Sequence, residues 1–323
     1  MSELIQVKNL TKEFNGFLAV DHVNFSAKAG EIFGLLGPNG AGKTTTLRTI
    51  ATVLAPTSGT AVVAGYDIVS QPEDVRRHIG MLTTDIGVYE RFSGRENLYY
   101  FGQLYGLSGE KLEQGVAELV QLLDMADFID KRAGKYSTGM KQKLAIARSV
   151  IHNPDVMIFD EPTAGLDVLA SQTVIRFMKK VSERGKLVIL STHEMTDAEK
   201  LCDRVAIMHQ GRIVTVDTVE NLKAKTGTQD LEETFVKLVH GDNHRRPDVA
   251  VSQKSKTMKI KMSPLMMAIL LEVVSILLIG IGILGNMQKW FSVGVGYVFI
   301  FAGLIPSFIA RRQLRKMRSG PRV

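Results

Sequence analysis

Short apolar segments alternate with amphipathic ones through the first 241 residues of the chain. Apolar runs of strand length lie at residues 4–10, 31–37, 156–161 and 186–192. Segments with a helical pattern of apolar positions lie at residues 43–54, 112–124 and 168–183. Strand patterns that alternate with helical patterns are typical of a largely parallel sheet with helices on both faces. The pattern therefore predicts an α/β domain over residues 1–241.

One stretch within this domain carries helical patterns only. It covers residues 93–152, and it opens with Ser93 and Glu96 in the spacing of a capping box. We therefore predict a helical lobe, inserted into the α/β domain at about residues 86–152.

Two long apolar segments follow after Gly241. They cover residues 264–284, with the single charged residue Glu272, and residues 291–310, with none. A helix of about 20 residues is about 30 Å long, which matches the hydrocarbon core of a bilayer. We therefore predict a hairpin of two transmembrane helices within residues 263–311. The alternative is a pair of buried helices in a soluble domain.

The basic residues indicate how this hairpin would be oriented. Residues 242–262 form a polar, basic linker, and residues 312–323 form a basic tail. Residues 242–323 hold 13 Lys and Arg and three acidic residues, a balance of +10, which leaves −3 for residues 1–241. The positive-inside rule then places both ends of the hairpin in the cytoplasm. This asymmetry favours a membrane lipid surface as a partner and argues against nucleic acid.

Composition excludes several other classes of protein. An apolar content of 45% and a charged content of 23% exclude disordered and collagen-like chains. The single cysteine, Cys202, excludes a disulfide framework and fits a reducing compartment. The first residues mix charged and apolar side chains without a cleavage site, so we expect no secretory signal.

A glycine-rich segment, GPNGAGKT at residues 37–44, fits the pattern G-x-x-x-x-G-K-[ST] between a predicted strand and a predicted helix. In such a loop, backbone N–H groups surround phosphates, the lysine reaches the β- and γ-phosphates, and the hydroxyl binds Mg²⁺. We therefore expect Thr44 to bind Mg²⁺. The residues of this segment, a P-loop, that are expected to bind the phosphates of a nucleotide are Gly37, Pro38, Asn39, Gly40, Ala41, Gly42, Lys43, Thr44 and Thr45. A plain glycine-rich turn is the alternative.

Two further segments carry candidate chemistry. The apolar run VMIFDEP ends in Asp160, which can hold Mg²⁺, and Glu161, which can polarise an attacking water. A solvated strand end is the alternative, and the P-loop favours the catalytic interpretation.

The segment YSTGMKQK precedes a helical pattern, so Ser137 and the backbone of Gly139 can bind an anion. A simple cap by Ser137 is the alternative there.

Five motifs together resemble the ATPase domain of ABC transporters. They are the P-loop, YSTGMKQK, IFDEP, AGLD at residues 164–167 and STHE at residues 191–194, in that order and spacing. The resemblance covers residues 3–240. It implies the fold of an α/β P-loop NTPase with an inserted helical lobe, and ATP and Mg²⁺ as cofactors. It also implies a homodimer of ATPase domains, in which the signature segment YSTGM of one protomer closes on the nucleotide held by the other.

The resemblance also assigns roles to individual residues. His193 is expected to bind the γ-phosphate within its own protomer and to act with Glu161 in catalysis. Phe14 is expected to stack on adenine. The residues expected to act across the dimer interface are Ser137, Thr138, Gly139, Met140 and Asp167. Without the resemblance, a hydrogen-bonded histidine at a strand end and a core phenylalanine are the plainer interpretations.

Two positions depart from the family pattern. The family has a glutamine after a strand such as IGMLTT, where it binds Mg²⁺ and senses the membrane partner. Here Thr84 takes that place beside Asp85, and we expect an oxygen of one of them to reach Mg²⁺. The signature segment begins YSTG rather than the commoner LSGG, which keeps Ser137 and Gly139.

Residues 83–107 and the signature segment resemble bacterial export ATPases, especially sodium-efflux subunits. The resemblance implies an ATPase on the cytoplasmic side of the cell membrane that drives export, with sodium as the candidate substrate. A separate integral membrane permease is implied, since two helices are too few for the usual permease. Alternatives are a drug or antibiotic efflux ATPase, and a membrane-tethered ABC ATPase with a sensory or regulatory role. A non-transport ABC ATPase on ribosomes or DNA is disfavoured by the single cassette.

Overall fold

The structure is a computed structural model that describes residues 2–83 and 87–243, with side chains described up to Val239. The predicted linker, transmembrane hairpin and basic tail fall at or beyond the end of this range, and Thr84 and Asp85 fall in its gap, so these predictions lie outside the described residues. Within the described residues, no helix has both the length and the apolar character needed to cross a membrane.

Strands and helices alternate through most of the described chain. In chain order the elements are β1 (Glu3–Phe14), β2 (Phe17–Lys28), β3 (Ile32–Leu36), α1 (Lys43–Ile50), β4 (Ser58–Val63), β5 (Tyr66–Asp67), α2 (Pro72–His78), β6 (Ile79–Leu82), α3 (Gly94–Leu104), α4 (Gly109–Leu122), a short 3-10 helix (Ala133–Lys135), α5 (Thr138–Val150), β7 (Val156–Asp160), α6 (Val168–Glu183), β8 (Leu187–Thr192), α7 (Met195–Leu201), β9 (Arg204–His209), β10 (Arg212–Thr218), α8 (Val219–Thr226) and α9 (Leu231–Asn243).

A sheet with the strand order β10-β9-β3-β8-β7-β6 positions the candidate site. Neighbouring strands are parallel except for β9 and β10. Strands β3, β7 and β8 are buried along their whole length, as expected where both faces of a parallel sheet are covered. These three strands confirm the predictions made from their apolar runs. Their carboxyl ends meet at one edge of the sheet, where ligands bind in open α/β sheets.

A separate antiparallel sheet, with the order β2-β1-β4-β5, makes the prediction of one largely parallel sheet incomplete. Strands β1 and β2 form a hairpin whose turn residues, Asn15 and Gly16, have φ angles of +48° and +85°. A two-residue Asn-Gly loop with two positive φ angles favours an antiparallel hairpin, because its twist matches that of the flanking strands. The strand predicted at residues 4–10 therefore exists but belongs to this second sheet.

Two apolar clusters cover the two faces of the parallel sheet. Phe33 and Leu35 of β3 pack in one cluster with the antiparallel sheet and α1. Ile32 and Leu36 pack in the other, with the helices on the opposite face. This alternation along β3 follows from the two-residue period of a strand. Because both faces of β3 are packed, the loop that follows Leu36 begins between the antiparallel sheet on one side and the helices on the other.

The described chain between β6 and β7 contains α3, α4, the 3-10 helix and α5, as the helical pattern predicted. The capping box is confirmed at the start of α3. The Ser93 hydroxyl accepts from the Glu96 N–H at 3.1 Å, and Glu96 Oε2 accepts from the Ser93 N–H at 2.7 Å. The Tyr136 hydroxyl donates to Phe128 O at 2.8 Å, which joins the start of α5 to the loop after α4. The limits of the lobe stay a prediction.

Candidate functional site

The P-loop connects β3 to α1 and packs directly against neighbouring backbone. Gly42, immediately before α1, has a φ of +102°, and a Cβ there would lie 2.3 Å from the carbonyl oxygen of Ala19. A Cβ on Gly37 would lie 2.2 Å from the carbonyl oxygen of Met208. Both positions therefore require glycine, and the loop lies against β2 and β9 with its backbone N–H groups at the start of a helix.

Lys43, the first residue of α1, carries the cation of the site. Its Nζ donates to the carbonyl oxygen of Gly37 at 2.7 Å and lies 3.7 Å from Glu161 Oε1. Burial lowers the pKa of Lys43, and the nearby carboxylates of Glu161 and Asp160 oppose this shift. The ammonium group is therefore held between the P-loop backbone and the carboxylate at the end of β7.

Asp160 ends β7 with a carboxylate that is almost completely buried. Its Oδ1 accepts hydrogen bonds from the Thr44 hydroxyl, at 3.1 Å, and from the Ser191 hydroxyl. Its Oδ2 is buried and has no hydrogen-bond partner among the described residues. A buried carboxylate oxygen without a donor is costly, and a cation would satisfy it.

These oxygen atoms fit Mg²⁺. The ion prefers hard oxygen ligands, and beside nucleotides it is held by one or two carboxylates together with phosphate oxygens. Thr44 and Asp160 supply a hydroxyl and a carboxylate next to the phosphate-binding loop. The described residues contain no group of three or more His, Cys, Asp or Glu side chains arranged for a metal, and a site of this kind does not need one.

Glu161 and His193 face each other from the ends of β7 and β8. His193 Nδ1 lies 3.0 Å from both carboxylate oxygens of Glu161. Glu161 has a φ of +52°, a conformation that is uncommon outside glycine. Its N–H donates to the carbonyl oxygen of Ser191 at 3.1 Å and to the Ser191 hydroxyl at 3.2 Å. The unusual backbone conformation is thus held by the neighbouring strand.

The aromatic residue at the P-loop cleft differs from the one predicted. The cleft is lined by the P-loop, Ala19, Phe17 and Glu161, and the Phe17 side chain is 67% exposed. Phe14 lies opposite Phe17 across the hairpin but does not line this cleft, and Lys12 Nζ lies 5.0 Å from its ring centroid. The stacking role of Phe14 stays a prediction, and sequence analysis missed Phe17.

The signature residues lie in a different pocket from the P-loop. Ser137 caps α5 by accepting from the Met140 N–H at 3.3 Å, and Thr138 is the first residue of that helix. Asp167 caps α6 by accepting from the Ala170 N–H at 2.9 Å. Ser137, Gly139, Met140 and Asp167 line one pocket, which shares no residue with the P-loop cleft. Within one chain, the structure therefore brings together the P-loop, Asp160, Glu161 and His193 but not the signature residues.

Comparison with known proteins places this arrangement in a family. The ABC transporter family matches residues 20–164 of the chain. NatA, an ABC transporter ATP-binding protein of Bacillus subtilis (strain 168), is 41% identical over 225 residues, which is 69% of this chain and 92% of NatA. The chain belongs to the ABC transporter family. As an ABC protein of this type, it binds ATP, and its ATPase activity is coupled to transport.

Other relatives of this ABC protein include DrrA of Streptomyces peucetius, a daunorubicin/doxorubicin resistance ATP-binding protein. It is 38% identical over 227 residues, which cover 70% of this chain and 69% of DrrA. A solved ATP-binding subunit of an ABC transporter is similar with a TM-score of 0.68 and 31% identity, over 73% of this chain and 99% of that one. The cassette MJ0796, solved as a dimer in a post-hydrolysis state with ADP and phosphate, is similar with a TM-score of 0.60 and 25% identity. That likeness covers 66% of this chain and 98% of the cassette.

Proposed function

We propose that this ABC protein is the ATP-hydrolysing subunit of an exporter, and that it drives efflux through a separate membrane permease. One observation carries the hydrolytic part of the proposal. A lysine, a hydroxyl, two carboxylates and a histidine from three separate chain segments converge beside one glycine-rich loop. That is the set of groups that phosphoryl transfer to water requires.

Each group has a proposed role. The P-loop backbone and Lys43 bind the phosphates, and Thr44 and Asp160 hold Mg²⁺, which neutralises phosphate charge. Glu161 orients the attacking water and accepts its proton, since its carboxylate lines the cleft and is held by Lys43 and His193. His193 holds that carboxylate through Nδ1, and its proposed role is to bind the γ-phosphate through Nε2, which lies 3.7 Å from Glu194 Oε1.

A complete site is proposed to need two protomers. The signature residues line a pocket of their own, so a second copy of the chain would supply them to the nucleotide bound at the P-loop. The dimeric cassette MJ0796 supports this arrangement, because its fold is similar. Ser137, Thr138, Gly139 and Met140 would contact the nucleotide of the partner protomer, and Asp167 would lie at the interface.

Sodium is the proposed substrate, because residues 83–107 and the signature segment resemble those of sodium-efflux subunits. Export of a drug or antibiotic is the second candidate, and it is favoured by the 38% identity to the drug-resistance protein DrrA. Membrane attachment through the predicted hairpin would keep the ATPase on the cytoplasmic side of the cell membrane, in contact with lipid and permease.

A deletion strain of the host separates these candidates. The strain is complemented with the wild-type chain or with Glu161→Gln, and growth is measured at high NaCl, at matched KCl and with daunorubicin. The proposal predicts a sensitivity to NaCl that only the wild-type chain reverses. Sensitivity to daunorubicin alone would favour drug efflux. Sensitivity to neither would argue against both substrates and favour the sensory alternative.

A further inference from the structure

Ser191, the first residue of the STHE motif, received no role from the sequence, and it contacts both acidic residues of the site. It lies near the end of β8, it is completely buried, and it is the register partner of Asp160 in the parallel sheet. Its hydroxyl donates to Asp160 Oδ1 and accepts from the Glu161 N–H at 3.2 Å. A hydroxyl has one proton to donate and can accept as well, so Ser191 satisfies both contacts at once.

The contact with Asp160 decides how its carboxylate is oriented. Oδ1 receives two hydroxyl donors, from Ser191 and Thr44, whereas Oδ2 is buried without a partner among the described residues. Fixing one oxygen of a carboxylate fixes the direction of the other. Ser191 therefore holds the carboxylate in the rotamer that leaves Oδ2 available for a cation.

The contact with Glu161 acts on the backbone. The Glu161 N–H is held by the carbonyl oxygen and the hydroxyl of Ser191, and Glu161 has a left-handed φ of +52°. Such a conformation persists where the surroundings over-determine it. Removal of the hydroxyl leaves one of these two acceptors, so the Glu161 carboxylate loses part of the support that directs it toward His193.

We propose that Ser191 is a positioning residue that sets both the Mg²⁺ ligand Asp160 and the catalytic carboxylate Glu161 through one hydroxyl group. The inference rests on the proposed ATPase site and adds a residue to it. Partners that orient metal ligands typically contribute about 10-fold to 100-fold in metal affinity or activity. We expect an effect of that size from loss of this hydroxyl, although Ser191 does not line the P-loop cleft.

The test compares Ser191→Ala and Ser191→Thr with the wild-type full chain. Ser182→Ala is the matched control, because Ser182 is a buried serine on α6 whose hydroxyl donates to the backbone of Gly30 at 3.3 Å. The first measurement is ADP affinity with EDTA and then with Mg²⁺. In EDTA, Ser191→Ala should bind ADP with the affinity of the wild type. Addition of Mg²⁺ should increase the ADP affinity of Ser191→Ala about 10-fold less than that of the wild type. Ser191→Thr should show the same increase as the wild type.

Two further measurements separate positioning from a loss of folding. Hydrogen exchange of the Glu161 amide in the nucleotide-free protein should be faster in Ser191→Ala and unchanged in Ser182→Ala. The kcat for ATP should fall about 10-fold to 100-fold in Ser191→Ala while KM stays within a few-fold. If Ser191→Ala does not fold, Ser191→Cys fills the same space with a weaker donor and acceptor and should shift the same measurements in the same direction.

The outcomes are distinct. A wild-type chain that binds no ADP would overturn the proposed ATPase site itself. If the wild-type chain binds ADP with Mg²⁺ and Ser191→Ala shows the same Mg²⁺ dependence, amide exchange and kcat as the wild type, the role of Ser191 alone is overturned. Equal losses in Ser191→Ala and Ser182→Ala would show a general loss of stability and would also overturn it.

Discussion

His193 Nδ1 lies 3.0 Å from each carboxylate oxygen of Glu161, so one ring nitrogen holds both oxygens. The two side chains come from the ends of neighbouring strands, β7 and β8, and Lys43 Nζ approaches the same carboxylate at 3.7 Å. The carboxylate is thus fixed by a cation and by a histidine. This fixed position makes Glu161 the most informative residue to change.

Glu161→Gln should reduce ATP turnover by at least about 100-fold and leave ATP affinity nearly unchanged, because an amide keeps the shape but accepts no proton. Turnover by phosphate release and affinity by a fluorescent ATP analogue check this expectation. Glu113→Gln is the matched control, since Glu113 is an exposed carboxylate on α4 that does not line the P-loop cleft. Near wild-type turnover of Glu161→Gln would contradict the catalytic role.

A mixture of Lys43→Ala and Ser137→Ala protomers should be more active than either variant alone. A mixed dimer would pair the intact P-loop of one protomer with the intact signature segment of the other, which restores one site. The control mixes Lys43→Ala protomers with a double variant that carries both Lys43→Ala and Ser137→Ala. No pairing in this mixture contains an intact P-loop, so no site is restored. ATPase rates of the mixtures are the measurement. Activity no higher than that of the parents would contradict the shared site.

Asp217 should make stability depend on pH in the acidic range. Hydrogen bonds from the side chains of Lys225 and Asn221 and from the backbone of Thr218 lower its pKa from 3.8 to about 2. The folded state therefore favours the ionised form, and the stabilisation is complete above about pH 5 and lost as the pH falls toward 2. Asp217→Asn should reduce the free energy of unfolding by about 1 kcal/mol at pH 7, allowing for solvent screening.

Urea denaturation of wild type and Asp217→Asn at pH 7, 5 and 3 measures this dependence. The difference between the two proteins should be equal at pH 7 and pH 5 and smaller at pH 3. A difference that grows as the pH falls would contradict the sign of the effect. Lys225→Met, which removes the strongest partner of this carboxylate, should weaken the pH dependence in the same way.

The predicted transmembrane hairpin should make the full chain resistant to extraction by carbonate and dependent on detergent. A chain without residues 255–323 should be released and still bind nucleotide, because the nucleotide motifs lie before residue 195. Recovery of the full-length protein in the high-speed supernatant would contradict the membrane spans.

The orientation of the hairpin can be tested with a cysteine in place of Asn286, in the loop that the positive-inside rule places outside the cell. The natural cysteine, Cys202, is buried, and burial raises the pKa of its thiol, so it should not react in the folded protein. The unsubstituted chain is the control. A membrane-impermeant thiol reagent should label the variant in intact cells, and labelling only after lysis would reverse the orientation.

The sequence was most informative where local pattern and chemistry coincide. The P-loop has a fixed spacing between a strand and a helix, and the capping box of Ser93 depends on residues three positions apart, so both were predicted from neighbouring residues. Asp160 and Glu161 were found because the same chain carries a P-loop, which favours the catalytic interpretation of the two acids over a solvated strand end.

The sequence was less informative where the partner is distant along the chain. Ser191 contacts Asp160 across two paired strands, and the pairing register of parallel strands is not visible in either strand alone. The position of Phe17 depends on how the hairpin lies over the P-loop. The Asn15-Gly16 pair was a signal for that hairpin, and with it the antiparallel sheet could have been predicted.

The absence of a side chain at Gly42 has a consequence for protein engineering. The P-loop backbone lies so close to the backbone of Ala19 that a Cβ at Gly42 would be 2.3 Å from its carbonyl oxygen. The β1–β2 hairpin and the phosphate-binding loop therefore have to be exchanged as one unit. A chimera that takes residues 1–30 from a relative has to reproduce the path of β2 at Ala19. A chimera cut after α1 instead takes Ala19 and Gly42 from the same parent.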